Sequence, residues 1–449
     1  MQAIHRTIMT HRRPLLFVGI FIIFFLWSYI TLDSDFGWHL RSGQYFIDHG
    51  VPKYDIFTYT AGNFHWVNHE WLSDIVVALV YHVGSFELLS VLYAGMWTAA
   101  IAIMGRKVHP AFLIAASVAI LPFAGVRALT WSVLGLALLT LIIRQKNKKW
   151  RVLIPLLFLV WANFHGSFLI GIAYGGWQVI REKSWKLAVI GVIALAMTFV
   201  NPYGAELYTE VFRTMFDGDL HATINEWARF AIPLAAVPYV LTWVGLTIYR
   251  HQRDWRRYIR FETLLFIMAV ASVRMTPLFI LSSLTGLQQT TEEIGDALPK
   301  KDRPRGRQVA KIAALVLVAV TLVLPVIETV AKSGASRGYP AHAVQYLTDH
   351  PCRGNLFNSY NYGGYLIWQL PSHKVYIDGR MPSWEHETGT YMKDYNKVLS
   401  DEVFRAQQFE KYGITCVLIE KDTDMFRQLK DQGWQIKAED STSNLLIKP

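Results

Sequence analysis

The sequence predicts a mainly α-helical polytopic membrane protein with about eleven transmembrane helices and a small C-terminal extracytoplasmic α/β domain. Three observations predict it. Of 449 residues, 52% are hydrophobic and 17% charged, whereas a soluble chain carries about a quarter charged residues. The apolar residues gather in long runs, and the basic residues behind the net charge of +10 fall in short clusters between them. From about Ser333 the runs shorten and alternate with polar residues. Basic clusters at the ends of apolar runs mark cytoplasmic loops. The charge therefore reads as topology, and with no nucleic-acid motif present, a nucleic-acid partner is not expected.

The first run is Pro14–Leu32, preceded by His5, Arg6, His11, Arg12 and Arg13. It is longer than a signal-peptide core and is followed by no small-residue cleavage site, so a retained anchor with a cytoplasmic N-terminus is expected. Further basic clusters occupy Arg144–Arg151, Arg181–Lys186, Arg250–Arg260 and Lys300–Lys311, with a smaller one at Arg106-Lys107. If all are cytoplasmic, the chain must leave and return between them. Leu72–Met104 leads inward, Ala111–Gly125 out and Trp131–Ile143 back; Val152–Trp161 and Phe168–Ile180 form a hairpin. Leu187–Val200 goes out and 230–249 returns; Phe261–Val273 and Pro277–Leu287 form a second hairpin, and Ile312–Val330 crosses last. Several runs fall short of the roughly 20 residues of a full span, which predicts broken or re-entrant helices. Residues 1–332 are thus expected to form the membrane domain, with a first outer loop at 33–74, in the cell inner (plasma) membrane. Residues 333–449 form the outer domain. Its expected helices are Ala341–Thr348, Asp401–Tyr412 and Asp424–Gln432; its strands are Asn355–Asn358, Lys374–Ile377, Thr415–Ile419, Trp434–Lys437 and Asn444–Ile447. The two cysteines, Cys352 and Cys416, both lie there. Cys416 sits in an apolar run, which favours a buried thiol; an oxidising compartment would permit pairing.

On this topology the polar motifs fall on outward turns. Asp33 and Asp35 leave the first span, where carboxylates are costly unless they serve a purpose. Two residues apart, they share a face if the chain is extended, and such a pair can divide into a general base and a metal ligand. His39, Asn68, His69 and Glu70 accompany them. Asp33, Asp35 and His69 have donor chemistry for a divalent cation, though no tight ligand motif, so hydrogen bonding within the loop is the plainer reading. Trp38, Trp66 and Trp71 are expected in an interfacial aromatic belt. Arg127 and Arg274, outward against the positive-inside bias, could clamp a phosphate or merely snorkel. His165 lies in Asn163-Phe164-His165-Gly166, which reads equally as helix capping. Asn201-Pro202-Tyr203-Gly204 reads as a turn, and Asn225-Glu226-Trp227 marks another. In the outer domain Asn358–Tyr365 and Ile377-Asp378-Gly379-Arg380 stand out; Asp378 and Arg380 follow a strand, where α/β proteins often bind ligands.

An N-terminal span, an Asp-x-Asp motif in the first outer loop, many further spans and an outer α/β domain together resemble the GT-C superfamily of polytopic glycosyltransferases. The first loop (DSDFGWHLRSGQYFIDHGVPKYDIFTYT, then WVNHEWL), with WANFHG, NPYG, NEW, NSYNYGGYL and VYIDGR, looks like a group of poorly characterised bacterial membrane proteins. The resemblance implies a polyprenyl-phosphate sugar donor and a glycan, lipid or protein acceptor in the cell envelope. It implies a catalytic Asp35 or Asp33, with a divalent metal cation the only cofactor in view. His39, Asn68, His69, Glu70, Arg127, His165 and Arg274 become substrate-binding candidates. The long motifs of oligosaccharyltransferases and the paired Asp-Glu start of protein O-mannosyltransferases are absent, so donor and acceptor stay open. Two other readings compete. A lipid-linked glycan flippase would carry charge deep in the bundle; a non-enzymatic envelope scaffold would bind polymer through its outer domain.

Overall fold

The computed structural model describes residues 2–218, 220, 224, 227–251, 258–297 and 339–449. The expected span Ile312–Val330 and the Lys300–Lys311 cluster lie outside the described residues, as do Asn225, Glu226 and most of Arg250–Arg260. In chain order the first helices are α1 Gln2–Ile30, α2 Phe36–His49, α3 Trp71–Met104, α4 Pro110–Ile120, α5 Leu129–Arg144 and α6 Ile154–Phe164. They are followed by α7 Phe168–Glu182, α8 Trp185–Met197, α9 Glu206–Phe216, α10 Val237–His251, α11 Phe261–Ala271 and α12 Thr276–Ala297. The C-terminal part adds α13 Ala341–Asp349, α14 Gly363–Gln369, α15 Tyr391–Ser400, α16 Glu402–Lys411 and α17 Asp424–Asp431.

The chain divides into two compact units. The first comprises Met1–Leu32, Gly84–Gly204 and His221–Val330; the second comprises Asp33–Val83, Ala205–Leu220 and Ala331–Pro449. The division inside α3 falls at a break in the helix, where Gly84 (φ −150°) and Ser85 (φ 51°) leave helical geometry. The expected boundary at 332/333 lies outside the described residues, and the first outer loop, expected within the membrane domain, belongs to the second unit.

The first unit is built as a membrane domain. Its helices start as expected for apolar segments, with Pro110 and Pro155 in first turns where a missing N–H costs nothing. Their apolar side chains face outward in rows: Leu15, Ile22, Leu26 and Ile30 on α1, and Val189, Val192 and Ile193 on α8, are all exposed. Only 17% of the Arg13–Ile30 window is buried, which a soluble core helix would not tolerate. An apolar exterior of this kind suits hydrocarbon. Two described helices, Arg13–Ile30 and Trp71–Met104, are long and apolar enough to span a bilayer; the other apolar helices, such as Leu129–Arg144 and Trp185–Met197, are shorter. The figure of about eleven spans is therefore not established by the described residues.

The second unit is α/β. Strands β1 Asn355–Asn358, β4 Ile414–Glu420, β5 Gln435–Glu439 and β6 Ser443–Ile447 form one sheet in the order β1-β4-β6-β5. β1 runs parallel to β4, while β6 is antiparallel to both its neighbours. β2 Glu385–His386 and β3 Gly389–Thr390 make a separate short hairpin. The predicted strand Lys374–Ile377 is instead a single parallel bridge, Val375 to Thr58, because its partner is the first loop rather than the sheet. Tyr59 donates its hydroxyl to the Leu356 carbonyl at 3.0 Å, and Thr60 to the Tyr376 carbonyl at 2.6 Å. The first loop is thus stitched to the C-terminal domain across some three hundred residues of sequence, a pairing that local pattern cannot reveal. Cys352 and Cys416 form a disulfide, their Cα atoms 6.1 Å apart. The expected buried thiol is corrected: β1 pairs Leu356 with Cys416, and the chain entering β1 brings Cys352 within the bridging range.

Within 33–74, α2 is a fourteen-residue helix rather than loop. It docks on α14 backbone to backbone: a Cβ on Gly37 would lie 2.0 Å from the Gly364 carbonyl oxygen. Gly37→Ala should therefore destabilise the second unit by about 1–3 kcal/mol, as overpacking does, and lower its thermal midpoint; Gly19→Ala, with open space around it, should not.

Candidate functional site

The polar residues of the first loop converge inside the second unit. The Asp33 carboxylate accepts the Asp35 N–H at 2.9 Å and its carbonyl accepts the Phe36 N–H at 3.2 Å, so the pair sits in a tight turn rather than on an extended face. Asp35 occupies the N-cap of α2 but its side chain makes no capping bond. The carboxylate lies instead against Gly379: a Cβ there would meet Asp35 Oδ1 at 1.9 Å. Only glycine admits this seat.

One turn along α2 from Asp35, His39 is buried. Its Nδ1 lies 2.6 Å from Asp74 Oδ1 and its Nε2 3.7 Å from Glu70 Oε2. Asn68 holds the Asp74 carboxylate and the Glu70 backbone: its Nδ2 donates to Asp74 Oδ2 at 2.7 Å, and its Oδ1 accepts the backbone N–H of Glu70 at 2.9 Å. His69 is half-exposed, with Nε2 3.5 Å from Glu70 Oε1. Burial pushes the His39 imidazole down, but the hydrogen-bonded Asp74 carboxylate, with Glu70 and Asp35, carries its pKa up to about 9. His39 is thus a cation at neutral pH and offsets three carboxylates. Because the folded value exceeds the usual 6.5, the stabilisation is complete below about pH 6.5 and is lost as pH rises through about 9. Thermal melts across that window should show the loss in the wild type and a flatter profile in His39→Gln.

Beside this cluster, Arg380 is buried between two carboxylates. Its Nε and Nη2 donate to Asp378 at 2.8 and 2.7 Å, and its Nη1 lies 2.8 Å from Asp55 Oδ1. Three rings surround the guanidinium, Phe57 at 4.9 Å, Trp66 at 4.5 Å and Trp384 at 5.1 Å. Trp66 and Trp38 are core residues of this unit, only 4% and 6% exposed, and not members of an aromatic belt. Arg380 is bound within the protein, which accounts for it structurally.

The remaining candidates lie in the first unit. Arg127 is half-buried in the turn before α5, its N–H bonded to the Gly125 carbonyl at 3.0 Å. Arg274 sits between α11 and α12 with its guanidinium 5.2 Å from the Trp227 ring centre. His165 is buried after α6; its Nδ1 pairs with the Ser132 hydroxyl at 2.9 Å, which also accepts Trp161 Nε1–H at 2.9 Å. Asn163 donates to the carbonyls of Leu159 and Val200, tying α6 to the turn after α8. Asn201 closes that turn by accepting the Tyr203 N–H at 2.8 Å.

Asp33, Asp35, His39, Asn68, His69 and Glu70 are thus brought into one unit, with Arg127, His165 and Arg274 in the other. Among the described residues no group of three or more His, Cys, Asp or Glu side chains is placed to hold a metal ion. Asp33, Asp35 and His69 do not make such a set, since His69 faces Glu70 and the Asp33 carboxylate caps a turn. Sequence reasoning missed Asp74 and Asp55. Asp74 had a signal: it is a carboxylate inside an otherwise apolar run, four residues after Glu70, which places both on one helix face.

The fold of the chain is of the GT-C type, by its likeness to solved structures. Among solved structures the chain is similar to the oligosaccharyltransferase AglB from Archaeoglobus fulgidus, determined with an inhibitory peptide and a dolichol-phosphate. That match has a TM-score of 0.60 at 12% identity, over 91% of this chain and 70% of that one. The apo form of the Archaeoglobus fulgidus enzyme aligns with a TM-score of 0.55 at 11% identity, over 90% and 69%. No protein-family model and no curated protein sequence matches the chain.

Proposed function

We propose that the protein is a glycosyltransferase, moving a sugar from a polyprenyl-phosphate donor to an envelope glycan, lipid or protein acceptor at the outer membrane face. The observation that carries this is the Asp35 carboxylate, withdrawn from helix capping and seated on Gly379, in a chain with the GT-C fold. Asp35 takes the proton of the acceptor hydroxyl as the oxygen attacks the anomeric carbon. The bond from that carbon to the phosphate oxygen breaks, polyprenyl phosphate leaves, and the configuration inverts. His39, held by Asp74 and Glu70, fixes α2 and hence the carboxylate. From their sequence positions at outward span ends, Arg127 and Arg274 are the proposed contacts for the phosphate, and replacing either with Gln should raise KM for the donor. No step is assigned to a metal. The side of the membrane follows from the basic clusters and agrees with the Cys352–Cys416 disulfide, which an oxidising compartment permits.

The test is to reconstitute the purified protein in vesicles with radiolabelled polyprenyl-phosphate sugars and lipid or glycan acceptors, with and without EDTA. Sugar moved onto an acceptor with release of polyprenyl phosphate is expected. Donor crossing the bilayer with its sugar still attached would favour the flippase instead.

A further inference from the structure

A cavity of about 480 Å³ opens in the second unit between the C-terminal turn of α9 and the β2–β3 hairpin with the start of α15. Its wall is neither apolar nor of one charge. Arg213 and Lys393 supply N–H donors, Asp217 and Glu385 carboxylate acceptors, His386 can do either, and Phe216 presents a phenyl ring that is 75% exposed. The two full positive charges balance the two negative ones. An anion site would carry surplus cations, and a pocket for an apolar ligand would not spend two carboxylates on its wall. A neutral sugar matches this wall: its hydroxyls need donors and acceptors together, and its C–H face packs on an aromatic ring. The volume lies within the roughly 300–1,000 Å³ of small-molecule sites.

The wall is also held in place. His386 Nε2 is 3.2 Å from Asp394, Arg213 is paired with Glu210, and Thr390 Oγ1 accepts the Lys393 N–H at 3.2 Å to cap α15. Trp384, next to Glu385, stacks on Phe64 at 4.2 Å and carries the Arg380 guanidinium at 5.1 Å. Arg213 in turn lies 5.4 Å over Phe64. One segment, Gly379–His386, therefore bears the seat of Asp35 at one end and the cavity at the other.

We infer that this cavity binds a neutral sugar unit belonging to the acceptor; the acceptor role rests on the transferase reading, while sugar binding itself does not. The test uses the full-length protein in detergent, without donor, and saturation-transfer NMR with two disaccharide probes, diacetylchitobiose and lactose, and inorganic phosphate as competitor. Transfer to at least one disaccharide is expected. Phe216→Ala and Glu385→Gln, both at exposed positions, should each weaken it about fivefold, the loss of one contact worth about 1 kcal/mol, with unchanged thermal midpoints. Phosphate should not compete. In the transfer assay Phe216→Ala should raise the acceptor KM and leave kcat alone. Absence of disaccharide binding, retention of binding in both variants, or displacement by phosphate would overturn the inference. Binding as expected with no transfer from any donor would remove the transferase reading and leave the sugar site standing.

Discussion

Replacing Arg380 with Met is expected to unfold much of the second unit. The guanidinium serves two buried carboxylates at once, Asp378 through two hydrogen bonds and Asp55 through a 2.8 Å ion pair. Removing it leaves both charges in an apolar enclosure, and breaking a buried pair from one side costs roughly 3–5 kcal/mol. A domain is stable by about 5–15 kcal/mol, so one such loss consumes much of the margin. Lys should rescue little: a point charge cannot replace a fork that spans two partners and stacks among three rings. The triple change Asp55→Asn, Asp378→Asn, Arg380→Met should recover part of the loss, because it removes the stranded charges along with their partner. Limited proteolysis and thermal melts of the full chain would read these effects. Wild-type stability in Arg380→Met would show that the cluster is not what joins the first loop to the C-terminal domain.

The second large effect concerns activity. Asp35→Asn keeps the shape of the side chain and removes its basicity, so transfer should fall by about 10²–10⁴-fold, the span of general-base catalysis, with little change in stability. Gly379→Ala approaches the same atom from the other side. Its Cβ would claim space 1.9 Å from Asp35 Oδ1, so the carboxylate must move. A displaced base lowers kcat more than KM. Gly379 touches no substrate in this account and is a positioning residue; a Gly379→Ala enzyme with normal kcat would mean that the seat of Asp35 has no bearing on the chemistry.

What could be read from the sequence divides by the range of the interaction. Asn355–Asn358 is recovered with its boundaries, and Thr415–Ile419 and Asn444–Ile447 to within a residue, because apolar periodicity and turn residues are local signals. Asp33, Asp35, His39, Asn68, His69 and Glu70 could be singled out because polar residues beside an apolar run are conspicuous. Their partners were not legible. Asp55 meets Arg380 and Asp35 meets Gly379 across more than three hundred residues, and nothing in either segment alone announces the other. Trp38 and Trp66 were misplaced for the same reason: beside a predicted span an indole suggests the membrane interface, and only the docking of the C-terminal domain makes it core. The disulfide needed the β1–β4 pairing, which spacing does not supply.

The most direct test of the central claim is the rate of polyprenyl-phosphate release by reconstituted wild-type and Asp35→Asn protein, with matched thermal midpoints, over a panel of polyprenyl-phosphate sugars. Acceptor-dependent release by the wild type is expected, with a loss of at least about 10²-fold in Asp35→Asn. Equal rates in the two proteins would contradict it.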